Sequence, residues 1–383
     1  MRTFVFLCLT ATTLAASPIE TIRAVGEGGE GNAAAAVALE ELCAGDASQL
    51  VPILQGMRGA NPLAANWLRA AVDVIAQRSG EEMPVAELGE FLLDRSQNPR
   101  ARRLSFELIA AVDPAAAESL VPGMLSDPSP ELRHDAVARL MREAQALAEA
   151  ENKSGATLLY RQALGGALDV EQVKEIAKQL RGLGREVDLP KHFGFLTHWR
   201  VIAPFDNTGR AGFDQVFPPE EGIDLSATYP GKGADATWQP LETSDNFGMV
   251  DLNKPFGMLK EVVGYAYTTY EAETARAAEL RLGCKNAWKV WVNGEFVFGR
   301  DEYHRGMRID QYRIPIQLKA GENTILIKLC QNEQKEEWTV QWQFQMRICD
   351  SSGTAVLAKN RPPTPKPASG RRPPRRPKKN PAE

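Results

Sequence analysis

Six residues bring flat aromatic faces and polar heads into stretches that read as loops or strand ends: Tyr229, Trp238, Tyr303, His304, Arg305 and Arg308. Aromatic faces with a few placed hydrogen-bonding groups are the composition of a site for a sugar or another small polar ligand. Each has a plainer reading. An aromatic residue in a β-rich stretch is ordinary core material, and Arg305 and Arg308 could pair with Asp301 and Asp310 as a solvated charged loop. A second constellation is the run from Asp206 to Asp214, where Asp206, Asn207 and Asp214 supply oxygens on a loop bent at Gly209 and Gly212. A hard cation such as calcium takes oxygen ligands of this kind, but the spacing is not that of an EF-hand; the alternative is an Asx-rich turn. No other cofactor is expected.

Nothing comparable points to catalysis. The acids Glu220, Glu221, Asp224 and Asp235 lie in loops without an arrangement that singles out a glycosidase pair. Four histidines, His134, His192, His198 and His304, leave little material for a triad, and no serine sits in a Gly-x-Ser-x-Gly elbow. The glycine run near residue 26 precedes neither a strand nor a helix of nucleotide-binding type. Cys43, Cys284, Cys330 and Cys349 lack the close paired spacing of a zinc site. The last three fall in predicted strands, as small buried hydrophobes or with two of them joined in a disulfide. The expectation is a protein that binds and does not catalyse.

The elements that would position these residues centre on Asn286 to Gly299, two β-rich runs hinged on Asn293-Gly294. Asn-Gly tolerates positive φ at both positions, as a two-residue type I′ hairpin requires. Arg313 to Leu318 and Thr324 to Cys330 follow as strands around a turn at Ala320-Gly321-Glu322-Asn323. The first strand is expected at Trp199 to Ala203. The last is a long alternation over 338–348, with Trp338, Val340, Trp342, Phe344, Met346 and Ile348 on the core face and Thr, Gln and Arg toward solvent. Six of the chain's seven tryptophans lie beyond Phe193, and the alternation there predicts an all-β sandwich.

Residues 33–187 carry helical periodicity instead, as in Trp67 to Ala76, where apolar positions recur at three and four. Pro62, Pro99 and Pro130 stand at first helical positions behind the N-cap residues Asn61, Asn98 and Ser129, at spacings of 37 and 31 residues. This is an imprecise repeat of paired helices, or an irregular helical bundle. A last helix over 170–183 is followed by Gly184 as a C-cap.

At 383 residues, with 25% charged and 43% hydrophobic residues, the chain suits two globular domains. Residues 1–16 read as a secretory signal, the alternative being a buried N-terminal helix, so a secreted or periplasmic location is expected. No later segment is apolar enough to cross a membrane. Residues 17–32 read as a flexible lead-in. Residues 359–383 hold nine Lys or Arg and one Glu, leaving 36 basic against 48 acidic residues elsewhere, and read as a disordered Pro-rich tail. Such a tail would attract an anionic cell-surface polymer in a salt-dependent way and not a specific nucleic acid.

Phe193-Gly194-Phe195, Trp199, Pro204-Phe205-Asp206-Asn207, Phe217-Pro218-Pro219-Glu220, Trp238, Tyr265-Ala266, Leu282-Gly283, Trp291-Val292-Asn293-Gly294 and Gly321-Glu322-Asn323 together resemble a family of secreted bacterial proteins. In that family HEAT-like helical repeats precede a galactose-binding-like jelly-roll domain, and the Trp-Val-Asn-Gly and Gly-Glu-Asn elements are also similar to the front domain of family 2 glycoside hydrolases. The resemblance covers residues 190–358 well and the helical half loosely. It implies a HEAT-like helical domain over 33–187, a jelly-roll sandwich over 190–358, a glycan ligand for the sandwich and a protein partner for the helices. It also raises the expectation of a structural calcium, whereas the catalytic barrel of the hydrolases has no counterpart after Ile348. Two other readings stay open: a purely structural assembly module, and an accessory protein of a carbohydrate-degrading system.

Overall fold

The computed structural model describes residues 16–366; the expected signal, save its last residue, and the basic run 371–379 lie outside the described residues. The chain divides after Gly184 into two compact units. The first is helical, and the second is built on three antiparallel sheets, so the protein is mixed in class.

The helical unit contains α1 (Pro18–Arg23), α2 (Asn32–Cys43), α3 (Leu50–Gly56), α4 (Pro62–Ser79), α5 (Val85–Leu93), α6 (Pro99–Val112), α7 (Pro114–Leu120), α8 (Pro130–Glu149), α9 (Lys153–Gly166) and α10 (Val170–Gly182). Three of them start as their sequences dictate. Asn61 Oδ1 accepts the Ala64 N–H at 2.9 Å, Asn98 Oδ1 those of Arg100 and Ala101 at 2.9 and 3.2 Å, and Ser129 Oγ that of Leu132 at 3.5 Å. The two asparagines also reach backwards, Asn61 Nδ2 donating to Val25 O and Asn98 Nδ2 to Met57 O, so each cap ties its helix to an earlier turn. Leu68, Ala71, Val72 and Ile75 of α4 are buried at the spacing that one helix face imposes.

Helices pack on near neighbours in sequence, α5 on α6 and α8 on α9, with skips such as α3 on α6. Across α4, α6 and α8 runs a row of ion pairs, Arg69 to Glu107 at 3.8 Å and Arg103 to Asp135. Beneath them Arg102 and Asp127, both buried, form a two-pronged pair at 2.7 and 2.7 Å, while Arg102 Nε donates to Leu92 O. The expected flexible lead-in at 17–32 is corrected. Ser17 caps α1, Ile22 and Val25 are fully buried, and a Cβ on Gly56 would stand 2.5 Å from Ile19. Apolar anchors on a short helix outweigh the glycine-rich run that follows it.

The second unit comprises α11 (Leu189–Phe193), β1 (His198–Asp206), α12 (Pro218–Glu221), β2 (Thr228–Tyr229), β3 (Ala236–Thr237), β4 (Gln239–Glu242), β5 (Val250–Asp251), α13 (Asn253–Phe256), β6 (Val262–Ala272), β7 (Arg276–Cys284), β8 (Ala287–Val292), β9 (Glu295–Arg300), β10 (Tyr312–Leu318), β11 (Gly321–Gln331) and β12 (Gln343–Cys349). A six-stranded sheet runs β4-β1-β6-β11-β8-β9 and a four-stranded one β10-β7-β12-β5; β2 and β3 form a small third sheet. Trp199, Val201, Trp288, Val290, Ile327 and Leu329 from the larger sheet share one core with Leu280, Leu282, Ile316, Phe344 and Met346 from the smaller and with Trp342 just before β12. At the β8–β9 hairpin Asn293 and Gly294 take φ of 55° and 81°, the positive values that Asn-Gly tolerates.

The long final strand is corrected. Only 343–349 is strand; 337–339 forms a 3-10 turn and Trp338 is 60% exposed. Nor does the polar face of β12 meet solvent, for Gln345 and Arg347 are buried. Arg347 donates to both oxygens of Asp310 at 2.7 and 2.6 Å and to Phe193 O at 3.0 Å, so α11 and the loop before β10 cover that face. Cys284, Cys330 and Cys349 are buried free thiols, and burial pushes them up to about 12, about 12 and about 11, so they stay neutral and act as small apolar residues. Residues 359–366, assigned to the tail by composition, begin against the sandwich: Lys359 N–H donates to Glu271 O, Arg361 Nη1 to Phe195 O and Thr364 Oγ1 to Asp188.

Candidate functional site

The outer face of the six-stranded sheet is covered. Ile202, Tyr265, Trp291 and Leu326 pack under Phe205, Phe217, Ala236 and Trp238, contributed by the end of β1 and the long connection to β4. Lys328 stands in the middle of β11 on this face, fully buried. Its Nζ donates to Phe213 O at 3.1 Å, Gln215 O at 2.6 Å and Glu220 Oε1 at 2.8 Å, and the Tyr265 hydroxyl donates to the same carboxylate oxygen at 2.5 Å. All three ammonium hydrogens are therefore used, two of them on backbone carbonyls of the covering connection. Burial lowers the Lys328 pKa against the pull of Glu220, while burial and the neighbouring Glu220 charge raise that of Tyr265. Lysine, tyrosine and glutamate could exchange protons in a cleft, but with no exposed atom on the lysine the cluster serves as a strap.

This covering layer absorbs two of the expected ligand residues. Trp238 is buried edge-on to Tyr267 at 6.3 Å, and Tyr229 leans on Phe205 at 6.4 Å. Trp238 therefore offers no face to a ligand beside Tyr303 and Arg305. The expected calcium loop is corrected as well. Asp206 Oδ1 accepts from Thr208 and pairs with Lys232 Nζ at 3.0 Å, which holds its carboxyl below the usual range. Asp214 is 90% exposed and pairs with Lys289 at 3.2 Å. Asn207 is buried, its Nδ2 donating to Gln331 O at 2.9 Å and the Tyr303 hydroxyl at 3.2 Å. Lysine ammonium groups take the charge that a cation would need, and no cluster of three or more His, Cys, Asp or Glu side chains suited to a metal occurs among the described residues.

Of the remaining candidates, Tyr303 and His304 come together at one end of the sandwich, where β1, β6 and β11 have their Asp206, Val262 and Gln331 ends. The Arg210 guanidinium lies over the Tyr303 ring at 5.1 Å and binds Glu333 through two nitrogens at 2.6 and 3.2 Å. His304 takes a φ of 56° and donates its backbone N–H to Lys285 O at 2.6 Å. Its Nε2 lies 2.9 Å from Asn332 Oδ1; because that oxygen can only accept, Nε2 carries the proton and Nδ1 is left as an acceptor. Arg305 pairs with Glu302 at 3.5 Å and stays 66% exposed. Arg308 is exposed beside it in sequence, and Asp310 is held by Arg281 and Arg347, so the expected pairing with Asp310 does not form.

One residue of this end escaped sequence reasoning. Trp338 projects from the 3-10 turn and stands edge-to-face on His304, with centroids 5.4 Å apart at 86°. The turn is pinned beneath it: Thr339 Oγ1 donates to Gln334 O and Glu336 O at 2.9 and 2.7 Å, and Lys260 and Gln331 donate to Thr339 O at 3.0 and 3.2 Å. A signal existed in the charged run Glu333 to Glu337, which no core-facing strand would open with. An exposed indole on a pinned turn, beside an imidazole acceptor, can stack on a flat apolar face and hydrogen-bond its polar rim.

No protein-family profile matches the chain, and no curated protein matches it by sequence. Solved structures similar to parts of it include a Faecalibacterium prausnitzii β-glucuronidase, at 13% identity over 37% of this chain and 21% of the other with a TM-score of 0.21. A family 35 carbohydrate-binding module from Clostridium thermocellum matches at 13% identity over 23% and 72%, TM-score 0.18. A GH31 α-xylosidase from Xanthomonas citri matches at 11% over 41% and 16%, TM-score 0.18. The chain spans 16% of the length of an FMN-binding β-glucuronidase that it also matches. At these TM-scores the likenesses are too slight to argue from.

Proposed function

We propose that the protein is an exported, non-catalytic binding protein whose sandwich takes a glycan at the Trp338 end and whose helical unit is a HEAT-like platform for a protein partner. The observation that carries the first half is the exposure of Trp338 on a turn that four hydrogen bonds to Thr339 hold in place. A pre-ordered aromatic platform loses little entropy on stacking against a sugar ring. His304 Nδ1 and the exposed Arg305 would address the hydroxyls or carboxylate of the sugar. The helical half of the reading is supported by the row of ion pairs that links the alternate helices α4, α6 and α8 and by the Arg102–Asp127 pair, which ties α6 to the turn before α8, contacts of the kind a stack of helix pairs would use. A glycan array probed with the full chain tests the reading: binding to one sugar class supports it, and no retained glycan at millimolar concentration removes it.

A further inference from the structure

At the Trp338 end the hydrogen-bonding role of His304 is dictated by its neighbours. Asn332 is fully buried; its Oδ1 accepts the Gln334 backbone N–H at 3.2 Å and its Nδ2 donates to Gln334 Oε1 at 3.1 Å, so the amide cannot turn over. His304 Nε2, 2.9 Å from that same oxygen, has to donate, and Nδ1 keeps its lone pair without a hydrogen-bond partner among the described residues. The ring is held in place from two sides, by the bond from its backbone N–H to Lys285 O at 2.6 Å and by Trp338, edge-to-face at 5.4 Å. The cations around it are engaged elsewhere. Arg210 binds Glu333 through two nitrogens and Arg305 stands 3.5 Å from Glu302, while Lys260 Nζ donates to Thr339 O and Lys285 Nζ to Gln341 Oε1. Of the charges left over in the flanking segments, Asp301, Glu336 and Glu337 stand against Lys335. An acceptor is on offer here, and a spare positive charge is not.

We propose that the sugar bound at Trp338 is a neutral one, with a hydroxyl donating to His304 Nδ1, and that the protein releases it as the imidazole takes up a second proton. The proposal rests on the glycan reading and goes beyond it in naming the class of sugar and the control of its binding. Imidazole changes its charge between pH 5 and 8, where carboxylate, ammonium and guanidinium groups ordinarily keep theirs. Once Nδ1 is protonated it can only donate, so the hydroxyl has to turn round. A neutral ring laid over the imidazolium also strips water from a charge. A carboxylate on the sugar would reverse the sign, gaining an ion pair as the pH falls.

The experiment has one arm without ligand and one with it, both on the full chain. Nitrogen–proton NMR correlations of the His304 ring at pH 8 should show the proton on Nε2; a proton on Nδ1 overturns the proposal. NMR titrations with the methyl β-glycosides of glucose, galactose, N-acetylglucosamine and glucuronic acid should then show saturable binding of at least one neutral sugar, about fivefold or more tighter than the glucuronide at pH 8 and about fivefold weaker at pH 5. His304→Asn, a residue that tolerates the positive φ, should bind more weakly at pH 8 and with a level pH profile. Should that variant fail to fold, the tautomer and the pH profile of the parent decide. Preference for the glucuronide, affinity that holds or rises toward pH 5, or no binding of any of the four at millimolar concentration overturns the proposal. The glycan reading itself stands or falls with the array.

Discussion

The side-chain amide of Asn293 donates to Oδ1 of Asn323 at 3.0 Å, locking the β8–β9 turn to the turn that opens β11. Asn293 Oδ1 accepts the Thr324 N–H at 3.1 Å, and Asn323 Nδ2 donates to Lys319 O and Gly321 O at 2.9 and 3.0 Å. The Trp-Val-Asn-Gly and Gly-Glu-Asn elements are therefore two halves of one clasp.

Asn323 is fully buried, so Asn323→Ala leaves two turns with unpaired carbonyls and amides. The expected cost is about 2–3 kcal/mol, read as a lower urea midpoint with unchanged slope. A loss below about 0.5 kcal/mol would mean that the clasp contributes nothing.

Lys328→Met removes the strap under the covering layer and strands the Glu220 carboxylate beside Tyr265. The expected cost is about 3–5 kcal/mol, with faster proteolysis between 207 and 216. The double variant Lys328→Met, Glu220→Gln recovers part of that loss, since it removes both charges together. If the single variant is as stable as the double, the strap is not the role of the cluster.

Asp310 sets an acid limit. Burial alone would raise its carboxyl, but the fork of Arg347 and the ion pair to Arg281 outweigh that and hold it below its ordinary 3.8. A carboxyl with a depressed folded pKa contributes fully above the unfolded value, and the contribution is lost as pH falls through the folded one. Stability should therefore be level above about pH 5 and decline below about pH 4. Asp310→Asn should be less stable at pH 7 by about 3–5 kcal/mol and show a shallower acid limb in urea titrations at successive pH. An acid limb as steep as that of the parent would assign the limit elsewhere.

Much of the framework is legible because single residues carry it. Asn293-Gly294 can hardly be other than a tight hairpin, and Asn61-Pro62 and Asn98-Pro99 combine a side-chain acceptor with a preset φ. The covering layer over 205–238 is illegible because it has no period of its own; its pattern appears only once Phe217 and Trp238 are seen against Tyr265 and Tyr267. Trp338 misleads for the opposite reason. The alternation that holds from Trp342 to Ile348 extends backwards through it, and only the hydroxyl of Thr339, bent back onto Gln334 and Glu336, ends the strand sooner. The docking of segment 359–366 depends on contacts such as Arg361 to Phe195 O across 166 residues, which no local pattern encodes.

The account rests most heavily on Trp338. Isothermal titration of the full chain against the sugar class that the array selects should show a loss of about 30-fold or more in Trp338→Ala, roughly 2 kcal/mol, as for an interface anchor. Trp338→Phe should lose less, and Trp238→Phe nothing. Equal affinity in Trp338→Ala and the parent would contradict the claim that this end of the sandwich is the binding face.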